Sequence, residues 1–233
     1  MPAGGGAPPR GVRLPRQERA QGGAWSRTFE ESGVTVFTDG DVTGETTGGD
    51  VWEGGLALAR FLTQGHAYLV SGKAVLELGA GTGLLGLWLG AMAGGGPARV
   101  VLTDIPTLLP LLRRNTEHNR SALRCDVRVE ALDWNAAPPA AVLEAGPFEL
   151  VVAAEVLYMA ECAAPLLQTL LAVTAPGAQA LLALSCRFKD VEKSFFDAAA
   201  ADFETVDETA SAPDVEDLLA SDVSIFRLTR KAA

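Results

Sequence analysis

The residues best suited to chemistry follow one apolar segment: Val75-Leu-Glu77-Leu-Gly79-Ala80-Gly81-Thr-Gly83-Leu-Leu-Gly86. Glycines where a strand gives way to a helix let the backbone turn tightly and approach a ligand closely. Two ligands compete for such a loop. Gly81-Thr-Gly83-Leu-Leu-Gly86 has the G-x-G-x-x-G spacing of a dinucleotide site. That spacing begins late, because the strand reads as ending at Leu78; counted from Gly79 the pattern is G-x-G-x-G. Glu77 bears on the choice. A carboxylate this near the loop opposes an anionic pyrophosphate but suits S-adenosylmethionine (SAM), which carries an ammonium and a sulfonium. A plainer role, capping a backbone turn, is also open to it.

Asp104 follows Val100-Val-Leu-Thr103 and can accept the ribose hydroxyls of an adenosine. It serves a dinucleotide and SAM equally, and it can also cap a helix starting near Pro106. Asp133-Trp134 follows a third apolar strand. A tryptophan there can pack on adenine while its neighbour meets the exocyclic amine; burial in the core is the commoner fate of a lone tryptophan. His66 and His118 are isolated, and no metal-ligand spacing joins them. Both read as surface residues, and no metal is expected.

The elements that must hold these residues alternate. Lys73–Leu78, Arg99–Thr103, Val127–Ala131, Phe148–Ala153 and Ala178–Leu184 read as strands, the last entered from a turn at Pro176-Gly177. Helices are expected over 53–64, Leu84–Met92, Pro106–Asn119, Glu161–Val173 and Phe188–Ala200, with Pro106 in the first turn of the third. Phe203–Glu208 and Val223–Leu228 read as two closing strands, and Val34–Phe37 as a short early one. Apolar β-branched strands alternating with helices predict an α/β fold, a doubly wound, mostly parallel sheet with an antiparallel edge. Phe188, Phe195 and Phe196 read as core and edge packing.

Composition bounds the rest. The chain has 233 residues, 48% hydrophobic and 21% charged, which excludes a mainly disordered protein. Its net charge of −10 argues against a nucleic-acid partner. Residues 1–24 hold four arginines and Glu18, +3 in sum, leaving −13 on the remainder. That stretch, rich in Gly and Pro, is expected to be a disordered basic tail, with 25–233 a single domain. A transit peptide is the alternative, although serine is missing from the stretch. The acidic residues Glu204, Asp207, Glu208, Asp214, Glu216 and Asp217 read as a solvated face, or else as a rim attracting a basic segment. No apolar run approaches the ~20 residues of a membrane span. Cys125, Cys162 and Cys186 fit no disulfide or zinc framework and read as reduced thiols, which implies a cytoplasmic protein. A monomer is expected.

Several blocks together are more specific. Gly49-Asp-Val-Trp52-Glu-Gly-Gly-Leu56, the glycine loop, Leu102-Thr-Asp104 with Asn115 and Asn119, and Leu132-Asp133-Trp134 come first. Phe148 through Ala154-Glu155-Val-Leu-Tyr158 and Leu184-Ser-Cys-Arg187-Phe188 follow. In this order they resemble the seven-β-strand protein lysine methyltransferases, methyltransferase family sixteen, over residues 50–231. The resemblance implies SAM as cofactor and a protein substrate with an exposed lysine. It places Trp52 against the cofactor at the site entrance, and Glu77 with the loop of Gly79, Ala80, Gly81 and Gly83 at the methionine part. Asp104 then holds the ribose, Asp133 and Trp134 lie at the adenine, and Ala154 touches the cofactor through its backbone. Glu155 and Tyr158 are the catalytic pair, receiving and orienting the lysine amine. One departure stands out: the family motif is usually D-x-x-Y, and here it is Glu155-Val-Leu-Tyr158. A methylene moves the carboxylate by roughly 1 Å, a distance that matters for positioning. A methyltransferase for a small molecule or another side chain, and a SAM-binding interaction protein without catalysis, are the alternatives.

Overall fold

A computed structural model describes residues 11–20, 24–39, 47–185, 187–212, 216–217 and 221–232. The chain opens with a three-stranded antiparallel sheet, β1 (Glu18–Arg19), β2 (Trp25–Phe29) and β3 (Val34–Thr38). There follow α1 (Glu53–Gln64), β4 (Ala74–Leu78), α2 (Leu84–Gly90), β5 (Arg99–Asp104), α3 (Leu109–His118), β6 (Asp126–Ala131) and α4 (Ala140–Ala145). The second half holds β7 (Phe148–Ala154), α5 (Ala160–Val173), β8 (Thr174–Ser185), α6 (Lys189–Ala199), β9 (Phe203–Asp207) and β10 (Val223–Arg230). The main sheet has seven strands in the order β6-β5-β4-β7-β8-β10-β9. Its first five run parallel, and β10 pairs antiparallel with both β8 and β9.

Side chains alternate between the two faces of each strand. Val75, Val100, Leu102 and Val152 face a core formed with α1, α2 and α3, which the small sheet joins through Phe29, Val34 and Val36. Leu76, Leu78, Val101 and Val151 face the other core, formed with α4, α5 and α6. Both faces are therefore covered, which is why these strands read as continuous apolar runs. Among the described residues no helix is long and apolar enough to cross a membrane.

The small sheet is tied down by two asparagines of the α3 region. Asn115 is fully buried; its Oδ1 accepts from Phe37 N at 2.8 Å, and its Nδ2 donates to Phe37 O and Thr82 O at 3.0 and 2.8 Å. Asn119 does the same for Thr35, accepting from its N at 2.9 Å and donating to its O at 2.7 Å. β3 is thereby locked to the turn that follows β4.

Three local expectations are corrected. Pro106 is not in the first turn of α3: Ile105–Leu108 form a separate turn closed by Leu108 N on Ile105 O, and Pro110 takes the early helical position. Pro176-Gly177 does not precede β8 but lies within it, as an irregularity where Phe148 pairs Thr174 and Leu150 pairs Gln179. A bulge absorbs the proline, whose missing N–H cannot join the ladder, and Gly177 takes a φ of +83°. Phe188 is exposed where core packing is expected, while Phe195 is buried. In the amino-terminal stretch the described part differs from disorder. Val12 is buried in the first core and donates its N–H to Ser221 Oγ at 2.7 Å, while Gln17 Nε2 reaches Thr38 Oγ1 at 2.5 Å. One buried apolar side chain and strand pairing to β2 give that segment a purchase its Gly/Pro/Arg composition conceals. Residues 1–10 and 21–23, like Cys186 and Asp214, lie outside the described residues.

Candidate active site

The carboxyl ends of β4 to β7 open onto one cavity of about 440 Å³. Trp52, Glu77, Gly79, Ala80, Gly81, Asp104, Asp133, Trp134, Ala154, Glu155 and Tyr158 all line it. Gly83 does not. It precedes α2 at φ +81°, where an added Cβ would meet Leu112 Cδ1 at 2.5 Å, so its role is packing.

The glycine turn is a backbone cradle. Gly79 and Gly81 hold φ +67° and +55°. A Cβ on Gly81 would lie 2.8 Å from Gly48 O, and one on Gly79 would lie 3.1 Å from Trp134 Cζ2. At Gly81 only hydrogen leaves room for the loop over residues 47–52, while at Gly79 a Cβ would crowd the tryptophan.

Two carboxylates stand beside the cradle. Glu77 is 3% exposed and points to the α2 face, where Oε2 accepts the N–H of Gly86 at 2.9 Å. Burial raises its pKa from 4.5 to about 8; the Gly86 N–H opposes that rise and the charge of Asp104 adds to it. Asp104 accepts the N–H of Gly81 on Oδ2 and that of Ile105 on Oδ1, each at 2.7 Å. Burial raises its pKa as well, against those two bonds. It does not cap α3, whose first residue is Leu109.

These partners decide between the two ligands. A phosphate at such a loop is held by free N–H groups of the following helix. Here the Gly86 N–H, in the first turn of α2, is already taken by Glu77. A buried carboxylate pair instead favours a cation. The cavity suits the rest of SAM: each Asp104 oxygen keeps a lone pair for a ribose hydroxyl, and Leu108, Leu132, Val156 and Trp134 supply apolar wall. The residues present fit SAM.

The far end of the cavity is different in character. Trp52 precedes α1 and donates Nε1–H to Thr47 O at 3.1 Å; the Arg187 guanidinium lies 5.6 Å from its ring centroid. Glu155 follows β7 at φ +57°, the left-handed region. Its Oε2 accepts the N–H and the hydroxyl of Ser185, at 3.1 and 2.6 Å, while Oε1 is buried with no hydrogen-bond partner among the described residues. Tyr158 and Cys162 share this wall. Burial and the Cys162 thiol hold the Tyr158 phenol above its usual value, and burial likewise raises Cys162. Both therefore stay protonated at neutral pH, with Tyr158 able to donate.

Some residues of this site carry no sequence signal. Gly48 reads as ordinary loop, and only its contact with Gly81 marks it. Met159 and Glu161 line the cavity simply because α5 begins there. His66 and His118 lie away from it: His66 stacks on Phe61 with centroids 3.9 Å apart, and His118 meets the edge of Phe37. Glu208 of the acidic carboxyl region pairs with Arg227, and Asp202, just ahead of that region, pairs with Arg230. Among the described residues no group of His, Cys, Asp or Glu could hold a metal ion.

Residues 31–202 match the lysine methyltransferase family. The chain is 30% identical over 217 residues to the protein-lysine N-methyltransferase EFM6 of Saccharomyces cerevisiae, covering 85% of this chain and 86% of that one. It is 34% identical to the protein N-lysine methyltransferase METTL21A of Danio rerio over 140 residues, a match that spans 60% of each chain. Among solved structures, a methyltransferase from Pyrococcus furiosus superposes with a TM-score of 0.52 at 19% identity, over 76% of this chain and 83% of that one, a likeness of fold.

Proposed function

The chain belongs to the lysine methyltransferase family, whose cofactor is SAM, and on that premise we propose that it methylates the side-chain amine of a lysine in a protein substrate. One observation carries the reading. A single cavity joins a glycine cradle and two buried carboxylates at one end to Glu155 and Tyr158 at the other. Bound there, SAM supplies a methyl group on a positively charged sulfur, open to in-line attack.

The chain's own residues do the rest. Glu77 meets the cofactor's ammonium, Asp104 the ribose, and Trp134 with Leu132 the adenine. Trp52 and Tyr158, both partly exposed, frame the entrance through which a lysine arrives. Glu155 offers the charge that draws in an ammonium, and the protonated Tyr158 orients it. A free lysine holds its proton up to about 10.4 and must pass it to water before attack; desolvation in the channel favours that loss, against the pull of the Glu155 carboxylate. The enzyme's contribution is mainly alignment.

The test uses methyl-labelled SAM and whole-cell lysates. Labelling of a protein band, with methyl-lysine recovered on acid hydrolysis, is expected. Glu155→Gln should cut the labelling rate by tenfold or more while SAM affinity by calorimetry stays within about twofold. Equal loss of both would refute the assigned role, and label on a small molecule would move the substrate class.

A further inference from the structure

Glu155 is held in an unusual way. Its backbone sits in the left-handed region, which among the described non-glycine residues only Asp222 shares, and its N–H donates to Ala183 O at 2.9 Å. Its side chain spans from the end of β7 to the start of α1. There Oε2 is fixed by both donors of Ser185, the last residue of β8. On the other side lies Gly54, the second residue of α1. A Cβ at position 54 would be 2.6 Å from Oε1 and 3.1 Å from both Cδ and Cγ of Glu155. The first turn of α1 has no side-chain cap, and a carboxylate beside it is favoured by the unpaired N–H groups of a helix start.

We propose that Ser185 is the positioning residue of Glu155, and that Gly54 is the space which lets a glutamate stand where an aspartate is usual. The inference rests on the reading of Glu155 as the residue that meets the lysine amine. Two donors on one oxygen turn a flexible carboxylate into a pivot. The other oxygen, buried against Gly54 and unpartnered, is the one whose bonding an arriving ammonium completes, as the carboxylate turns about its anchored end. An aspartate is one methylene shorter and would not press on position 54. The longer arm and the missing Cβ are therefore complementary, and the hydroxyl of Ser185 sets where the arm ends.

The two halves are tested separately. Thermal unfolding of the cofactor-free protein tests the fit. Gly54→Ala should lower the midpoint by about 3 °C or more despite the better helix propensity of alanine. Glu155→Asp added to it should recover most of that loss. Additive effects of the two changes would overturn the pairing of size and space. Label transfer from methyl-labelled SAM into lysate protein tests the positioning. Ser185→Ala should slow transfer about tenfold in the native background, the worth of one hydrogen bond to a charged group, and under twofold when Glu155→Gln is already present. SAM affinity should hold throughout. An equal loss in both backgrounds would make Ser185 merely structural. If Glu155→Gln itself labels at the native rate, the reading of Glu155 as amine acceptor fails, while the fit with Gly54 still stands or falls by the unfolding data.

Discussion

Glu77→Gln removes a charge while keeping shape and an acceptor for the Gly86 N–H. In the folded protein Glu77 titrates at about 8 rather than 4.5, chiefly because it is buried. Between those values the native state holds a proton that the unfolded chain has released, so stability falls as pH rises through that window. Each unit is worth about 1.36 kcal/mol, so on the order of 3 kcal/mol is forfeited at pH 7 and on the order of 4 at pH 8. Glutamine has nothing to ionise. The variant's unfolding midpoint should match the native one near pH 4.5 and exceed it by about 6–12 °C at pH 7. Scanning calorimetry of the cofactor-free proteins at pH 4.5, 6, 7 and 8 reads this directly. Cofactor binding should then reverse the ionisation, since a cation beside Glu77 favours its carboxylate. At pH 7 the native protein should release about nine tenths of a proton per SAM more than the variant, measured by titration calorimetry in buffers of different ionisation enthalpy. Parallel midpoints across pH, or equal proton release, would show that Glu77 is a turn cap and nothing more.

Other parts of the site make independent predictions. Asp104→Asn should weaken SAM about 10- to 100-fold by calorimetry, and should narrow the pH dependence of native stability, because the charge of Asp104 helps to raise Glu77. Gly81→Ala places a Cβ 2.8 Å from Gly48 O at a φ of +55°; SAM binding should be lost, with a stability cost of about 1–3 kcal/mol in urea unfolding. Asn115→Ala strips buried partners from Phe37 and Thr82 and should cost about 2–4 kcal/mol, and its SAM affinity should fall too, because Thr82 belongs to the cradle.

Much of this site was legible because parallel strands announce their own ends. An apolar β-branched run stops where its polar residue begins, and in an open α/β sheet that point is the ligand edge. Asp104, Asp133 and Glu155 sit at or just past such a stop and Glu77 one residue before its own, and strand register sets those stops side by side: Leu78 opposite both Thr103 and Ala153, Asp104 opposite Ala131. What escaped has a different origin. Ser185 ends β8 in the same row, but its partner lies thirty residues back along the chain, and nothing local to Leu184-Ser-Cys indicates it. Gly48 and Gly54 act through the absence of an atom, which shows only against the residue that fills the space. Val12 is similar: one apolar residue in a Gly/Pro-rich stretch gains its place from a distant serine.

The glycine spacing alone would have served two cofactors, and what separates them is one side chain within the strand before it. Glu77 faces the α2 side because strand residues alternate, and from there its Oε2 reaches the first turn of α2. A phosphate would compete with Glu77 for that N–H and would make ionisation of either carboxyl costlier. A cation needs no N–H and favours that ionisation. The same arrangement explains why the carboxylate is kept so deep that its pKa climbs to about 8. On the surface it would be cheaply ionised but screened, and would discriminate little. Buried, it is neutral and costly to ionise until a cation arrives, so it gives up native stability for selectivity at the moment of binding. Glu155 follows a related logic at the substrate end, with one oxygen satisfied by Ser185 and the other left short of a partner. On the proposed reading both carboxylates await positive charge, Glu77 a cofactor's ammonium and Glu155 a lysine's.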